Sequence, residues 1–333
     1  MPKFLIIRFS SIGDIIQCMG IISGIRAQFP DAQIHWITRK DMATILTIDS
    51  RIDKIWAFDR STGLKGLLEM ANQLRQEHYD YIYDAHSNIR SYILSFKLRS
   101  WWGGPHFTRR SKERWKRFLL FKFGINRFPW PFRGTVSYQR PLSKWGITNF
   151  PETGQHWRFP EDFPEKLDHY LSPQTVTIIP SANWPMKRWP IENWRELIFD
   201  LYNYNFLILA GPEDTFCESI QNVAPKRVIN LAGKTSLLES CYLVSRSKVV
   251  VSADTGLMHA ADLFRIPTFA LIGPTAFGFP SGPTAEICEA PLPCRPCSKD
   301  GSGKCKRFIY QQCMIYILPE NIAEKIQKLL PKN

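Results

Sequence analysis

Short apolar runs alternate with longer amphipathic ones along most of the chain. Residues 4–8 read as a buried strand, and residues 14–27 as a helix with Ile15, Met19, Ile22 and Ile25 on one face. Residues 33–38 and 54–58 predict strands, 64–75 a helix and 79–84 a strand. A second series begins near residue 175. It predicts strands over 175–179, 206–210, 227–231, 249–252 and 268–272, separated by helices over 192–202, 215–223 and 236–245 and one opening at Gly256. Strands separated by helices imply right-handed crossovers and mostly parallel sheets. The expected fold class is α/β, with two Rossmann-like domains over 1–160 and 174–318 facing a central cleft, where such sheets bind ligands. A proline-rich stretch, 150–173, links them. The closing segment 319–333 carries a last helix that can pack back on the N-terminal domain.

Composition narrows the class. The 333 residues are 44% apolar and 22% charged, which suits an ordinary globular protein and excludes disorder, collagen and coiled coil. No stretch approaches the roughly 18 consecutive apolar residues of a membrane span. The apolar run at 4–7 is too short for a signal-peptide core, so a cytoplasmic protein is expected. Its eight cysteines are then thiols or metal ligands rather than disulfides.

The net charge of +13 is almost entirely local. Residues 97–144 hold thirteen Lys or Arg and one acid, Glu113, interleaved with Trp101, Trp102, Phe107, Trp115, Phe118, Phe121, Phe123, Phe128, Trp130 and Phe132. Its Pro and Gly content predicts irregular structure within the N-terminal domain. Cations with aromatics suit a nucleic-acid groove or an anionic lipid surface. A merely solvated face would not need the rings.

Three strand-to-helix junctions carry candidate chemistry. The first, Arg8-Phe-Ser-Ser-Ile-Gly-Asp14, puts Asp14 at a helix start, either as a cap or as a general base. No GxGxxG is present, so a dinucleotide fingerprint is unsupported. The second, residues 180–190, offers Lys187 and Arg188 at a helix entry, either as a phosphate site or as a basic turn. At the third, Asp254-Thr255-Gly256 opens a helix whose N–H groups and Thr255 hydroxyl suit an anionic oxygen. Asp254 would both cap that helix and hold a sugar hydroxyl, and His259 follows a turn later. Finally, Cys294-x2-Cys297-x7-Cys305-x7-Cys313 reads as either a structural zinc or iron site or reduced thiols in a loop.

Taken together, Ser10-Ser-Ile-Gly-Asp14, Asp84-Ala-His-Ser-Asn-Ile-Arg-Ser91, Lys187-Arg-Trp-Pro190, Gly211-Pro-Glu-Asp214, Ser236-Leu-Leu-Glu239, Asp254-Thr-Gly-Leu-Met-His259 and Gly273-Pro-Thr275 resemble glycosyltransferase family 9. These are the ADP-heptose:lipopolysaccharide heptosyltransferases. The resemblance implies a GT-B fold and inverting transfer of heptose from ADP-heptose to an anionic, lipid-linked inner-core acceptor bearing Kdo. It makes Asp14 the base and Lys187 the group that meets the leaving diphosphate. Ser181, Arg188, Glu239, Asp254, Thr255, Gly256, Leu257 and His259 fall on the donor side, with Glu239 on the ribose. Ser11, Gly13, His86, Arg90, Arg109 and Arg110 fall on the acceptor side. His86 and Ser87 stand where many members have Gln and Gly. No Asp-x-Asp pair is present to hold a metal on the diphosphate, so no catalytic cofactor is expected. A related branch that modifies autotransporter proteins resembles this one with a structural metal. A different donor sugar or a protein acceptor is thus the alternative, and a nucleic-acid binder is a more distant one; no nucleic-acid partner is expected. The family's acceptor places the protein peripherally at the inner face of the cytoplasmic membrane, with segment 97–144 binding acceptor and lipid surface.

Overall fold

The computed structural model describes residues 1–99 and 104–331. In chain order the strands are β1 (Lys3–Ile7), β2 (Gln33–Arg39), β3 (Lys54–Phe58), β4 (Tyr81–Asp84), β5 (His106–Arg109), β6 (Thr175–Ile179), β7 (Asn205–Ile208), β8 (Val228–Asn230), β9 (Val250–Ala253), β10 (Thr268–Leu271) and β11 (Ala285–Cys288). The helices are α1 (Ile12–Met19), α2 (Ile22–Gln28), α3 (Gly63–Arg75), α4 (Ile89–Leu98), α5 (Arg114–Phe123), α6 (Gly134–Gln139), α7 (Phe163–Leu167), α8 (Ile191–Asp200), α9 (Cys217–Gln221), α10 (Leu237–Arg246), α11 (Gly256–Leu263), α12 (Gln312–Ile315) and α13 (Pro319–Leu329).

The chain forms two units, Met1–Arg114 with Thr135–Arg158, and Trp115–Gly134 with Phe159–Asn333. In the first, parallel strands run in the order β3-β2-β1-β4-β5. In the second the order is β11-β10-β9-β6-β7-β8, again parallel throughout. Strand order reverses between β1 and β4 and between β6 and β9, which are the switch points where open α/β sheets bind ligands.

The central strands are apolar because both faces are covered. On one face of the second sheet, Val176 and Ile178 pack with Trp189, Trp194 and Leu197, and with Ile322 and Ile326 of α13. On the other, Ile179, Leu207 and Val250 meet Leu243 of α10 and Ala261 of α11. In the first unit, Leu5, Ile7 and Ile37 pack with Leu67, Ala71 and Leu74 of α3 and with Leu94 of α4.

Four expectations need correction. The single helix over 14–27 is two helices, because α1 stops at Met19 with Gly20 as its C-cap. The 97–144 segment is not irregular; it holds β5, α5 and α6. Nor does it belong wholly to the N-terminal domain, since 115–134 packs into the second unit through Leu120, Phe128 and Phe132. The last helix, expected to pack back on the N-terminal domain, belongs to the second unit, where Ile322, Ala323 and Ile326 bury it beside α8. Trp101 and Trp102, and residues 332–333 of the closing segment, lie outside the described residues. Among the described residues no helix is long and apolar enough to cross a membrane.

Candidate active site

The chain leaves β1 through Arg8 and enters α1 with Ser11 at the N-cap position. Asp14 lies in the first turn of α1, beside Gly13, and is not the cap. Its carboxylate is held from three sides: Arg8 Nη2 lies 2.6 Å from Oδ2, the Tyr138 hydroxyl donates to Oδ1 at 2.8 Å, and the Ser11 hydroxyl donates to Oδ2 at 3.0 Å. Arg8 is buried and also donates to the Ala85 carbonyl at 3.0 Å. Burial alone would raise the Asp14 pKa, but Arg8, Arg110 and the two hydroxyl donors outweigh it and hold the carboxyl below its usual range. The side chain keeps 39% of its exposure, so an ionised oxygen stays reachable. Tyr138 is fully buried, and burial pushes its phenol up, keeping it a donor.

The loop after β4 is organised by Asp84, which is fully buried. It accepts from the His86 and Ser87 amides at 3.0 and 2.9 Å, the Ser91 hydroxyl at 2.9 Å and Arg109 Nε at 2.6 Å. Ser87 takes φ of +53°, the left-handed region that glycine adopts freely, and its hydroxyl bonds to the Arg110 carbonyl at 2.6 Å. This accounts for how a serine is tolerated there. Arg109 and Arg110, expected on the acceptor side, make contacts within the unit. Arg109 neutralises Asp84, and its guanidinium lies 3.7 Å over Tyr92. Arg110 is buried, 3.9 Å over Tyr138, and bonds to Ser137.

His86 and Arg90 instead line a pocket of about 130 Å³ with Phe9, Ser10, Arg39, Phe58, Arg60 and Asn88. Arg39 is tied to Asp41, while Arg60 and Arg90 are exposed. Arg39 and Arg60 were not legible in the sequence because Arg39 ends β2 and Arg60 follows β3, and they meet His86 only through the sheet. Burial and nearby cations push the His86 imidazole down to about 3. Between that value and the unfolded value near 6.5, the unfolded chain takes up a proton that the folded one refuses, so stability falls as pH drops through this window. His86→Gln should therefore flatten the pH dependence of unfolding free energy between about pH 6.5 and 4. Urea titrations at several pH values check this, and an unchanged slope would refute it.

In the second unit, β6 runs into Ser181 and β9 into Asp254, so the two expected donor junctions flank the switch point. Asp254 is buried and does not cap α11, whose N-cap is Thr255. Its Oδ2 lies 3.1 Å from Lys187 Nζ and accepts from the Thr275 hydroxyl at 2.8 Å. Lys187 and His259 outweigh the effect of burial and hold its pKa down. The backbone comes so close that a Cβ on Gly278 would stand 2.0 Å from the Asp254 carboxylate.

Thr255 and Gly256 are partly open at the α11 N-terminus, while Leu257 packs against the core. Arg188 is a brace: it pairs with Asp214 at 3.1 Å, bonds to the Ala182 carbonyl at 3.0 Å and lies over Phe216. Ser181 also donates to Asp214. Glu239 closes a capping box with Ser236 and pairs with Lys166, which lowers its pKa and still leaves lone pairs for a hydroxyl.

The expected metal site is not formed. Cys294, Cys297, Cys305 and Cys313 do line one small cavity. Among the described residues no group of three or more His, Cys, Asp or Glu could hold a metal ion.

Comparison with known proteins supplies the class. The family model for glycosyltransferase family 9 (heptosyltransferase) matches residues 67–306. The lipopolysaccharide core heptosyltransferase OpsX of Haemophilus influenzae is 25% identical over 280 residues, covering 81% of this chain and 79% of that protein. Among solved structures, a glycosyl transferase family 9 protein from Veillonella parvula has a TM-score of 0.76 at 18% identity, covering 99% of this chain and 97% of its own. The E. coli ADP-heptose lps heptosyltransferase II has a TM-score of 0.73 at 21% identity, covering 98% of each chain. With two doubly wound parallel sheets of the GT-B type and a family match across well over half its length, the chain belongs to glycosyltransferase family 9, the heptosyltransferases, and is a glycosyltransferase.

Proposed function

We propose that the protein transfers heptose from ADP-heptose to an anionic, lipid-linked inner-core acceptor, with inversion and without a metal. The observation that carries this reading is the ionised, partly open Asp14 next to a pocket of three arginines, at the switch point of the first sheet. An acceptor sugar bearing a carboxylate or phosphate suits Arg39, Arg60 and Arg90, with neutral His86 beside them. The acceptor oxygen attacks the anomeric carbon and its proton passes to Asp14, while the carbon–oxygen bond to the diphosphate breaks. The charge that develops on ADP is met by Lys187 and by the Thr255 and Gly256 amides opening α11. Asp254, His259, Ser181 and Arg188 shape that site, and Glu239 takes the ribose. The site of action is the cytoplasmic face of the membrane.

The test is incubation of the purified enzyme with ADP-heptose and a Kdo-bearing lipid A acceptor, reading ADP release and the acceptor's mass. A gain of one heptose is expected. Heptose appearing only on a protein, or transfer only from another nucleotide sugar, overturns the reading. Arg60→Ala should raise the acceptor KM about tenfold or more by removing a charged contact, and leave ADP affinity unchanged. An unaltered acceptor titration would remove Arg60 from the site.

A further inference from the structure

Helix α5 is apolar on two sides. Its inner side packs in the second unit, where Leu120 joins Phe128, Phe132, Met258 and Phe279. Phe277 receives Phe121, Phe128 and Phe132 at ring separations of 6.2, 5.2 and 4.9 Å. Two cations turn onto these inner rings: Lys116 lies 5.7 Å over Phe128 and Arg117 lies 4.1 Å over Phe277. The outer side has no such cover. Trp115, Phe118 and Phe123 share one face at helical spacing and are 68%, 48% and 60% exposed. Their rings meet one another along that face, Trp115 stacked on Phe118 and Phe123 edge-on to it, both at 5.6 Å. Arg114 and Lys122 stand exposed around them, and the stretch 114–134 contains six cations and no acid.

Contiguous exposed aromatics on a soluble surface mark a contact, and the charge around these selects its kind. We propose that the outer face of α5 docks on an anionic lipid bilayer. Trp115, Phe118 and Phe123 seat at the boundary between headgroups and acyl chains, and Arg114 and Lys122 meet lipid phosphates. A second copy is disfavoured as the occupant, because a self-complementary contact would bring like charges together. Helix α4 of the first unit repeats the pattern, with Ile89, Tyr92 and Phe96 exposed beside Arg90, Lys97 and Arg99. This inference rests on the lipid-linked acceptor for its purpose, and its test does not need that acceptor.

The test is co-sedimentation with vesicles of phosphatidylcholine, with and without phosphatidylglycerol, free of lipopolysaccharide. The wild type should bind the anionic vesicles and release them as salt rises. The variant W115S/F118S/F123S should lose about tenfold or more in vesicle affinity while keeping its melting temperature and its transfer to a deacylated, water-soluble acceptor. R114E/K122E changes only exposed charges, so it keeps the question open to decision should the triple variant fold poorly. It should bind anionic vesicles less and neutral ones equally. Equal binding by these variants, or a wild-type dimer that the triple variant dissolves, overturns the proposal. Vesicle binding without heptose transfer would sink the substrate reading alone, and transfer without vesicle binding would sink the docking face alone.

Discussion

Asp14→Asn should lower turnover about 10²- to 10⁴-fold, the usual contribution of a positioned general base. It should also destabilise the fold, which a simple helix cap would not do. Arg8 is buried and pairs with Asp14 at 2.6 Å. Asn can still accept from Tyr138, but its amide then leaves Arg8 without a counter-charge. Losing one partner of a buried pair costs about 3–5 kcal/mol, and the 39% exposure of the Asp14 side chain brings the expectation down to about 1–3 kcal/mol. The same pair sets an acid limit on stability. A carboxylate whose folded pKa is depressed contributes fully above its unfolded value near 4 and is lost as pH falls through the lower folded value. Steady-state kinetics and melting curves on one preparation check both parts. Near wild-type turnover would end the base assignment.

Lys187→Ala should have the second large effect, and it has two separable components. In the proposed mechanism the lysine stabilises the leaving diphosphate, so its loss should lower turnover about 10²- to 10³-fold, with a smaller change in ADP affinity. It also leaves the buried Asp254 carboxylate with the Thr275 hydroxyl and without its ammonium partner 3.1 Å away. That should cost about 3 kcal/mol of stability. Adding Asp254→Asn removes the stranded charge, so the double variant should regain melting temperature and stay slow. If the second substitution restores turnover as well, Lys187 serves the fold alone.

The alternation of strands and helices was legible because fully buried parallel strands leave apolar runs. The strand at 175–179 is read to the residue, since TVTII is buried throughout. The edge strand β5, His106–Arg109, left no such trace, with one buried residue in four amid cations. The break between α1 and α2 was hidden because apolar positions continue across Gly20. Asp14 could be singled out from its junction, but its environment could not. Its phenol donor lies 124 residues further along the chain. For the same reason Arg39 and Arg60 were silent, as were the contacts of Arg109 with Asp84 and of Arg110 with Tyr138. The aromatic content of 115–134 showed that something apolar was needed without showing that Phe277 and Phe279 supply it.

The excursion of residues 115–134 makes the two units hard to sever. The polypeptide passes between them at 114/115, 134/135 and 158/159, so a single cut does not separate the lobes. Nicking at 158/159 with a protease should leave two fragments that co-elute under native conditions, because Leu120, Phe128 and Phe132 of the shorter piece remain lodged against Met258, Phe277 and Phe279 of the longer one. Expressed alone, the first 158 residues would lack the wall those rings press on and should be prone to aggregate. The excursion thus works as a mortise, making the N-terminal half dependent on the C-terminal half for its solubility.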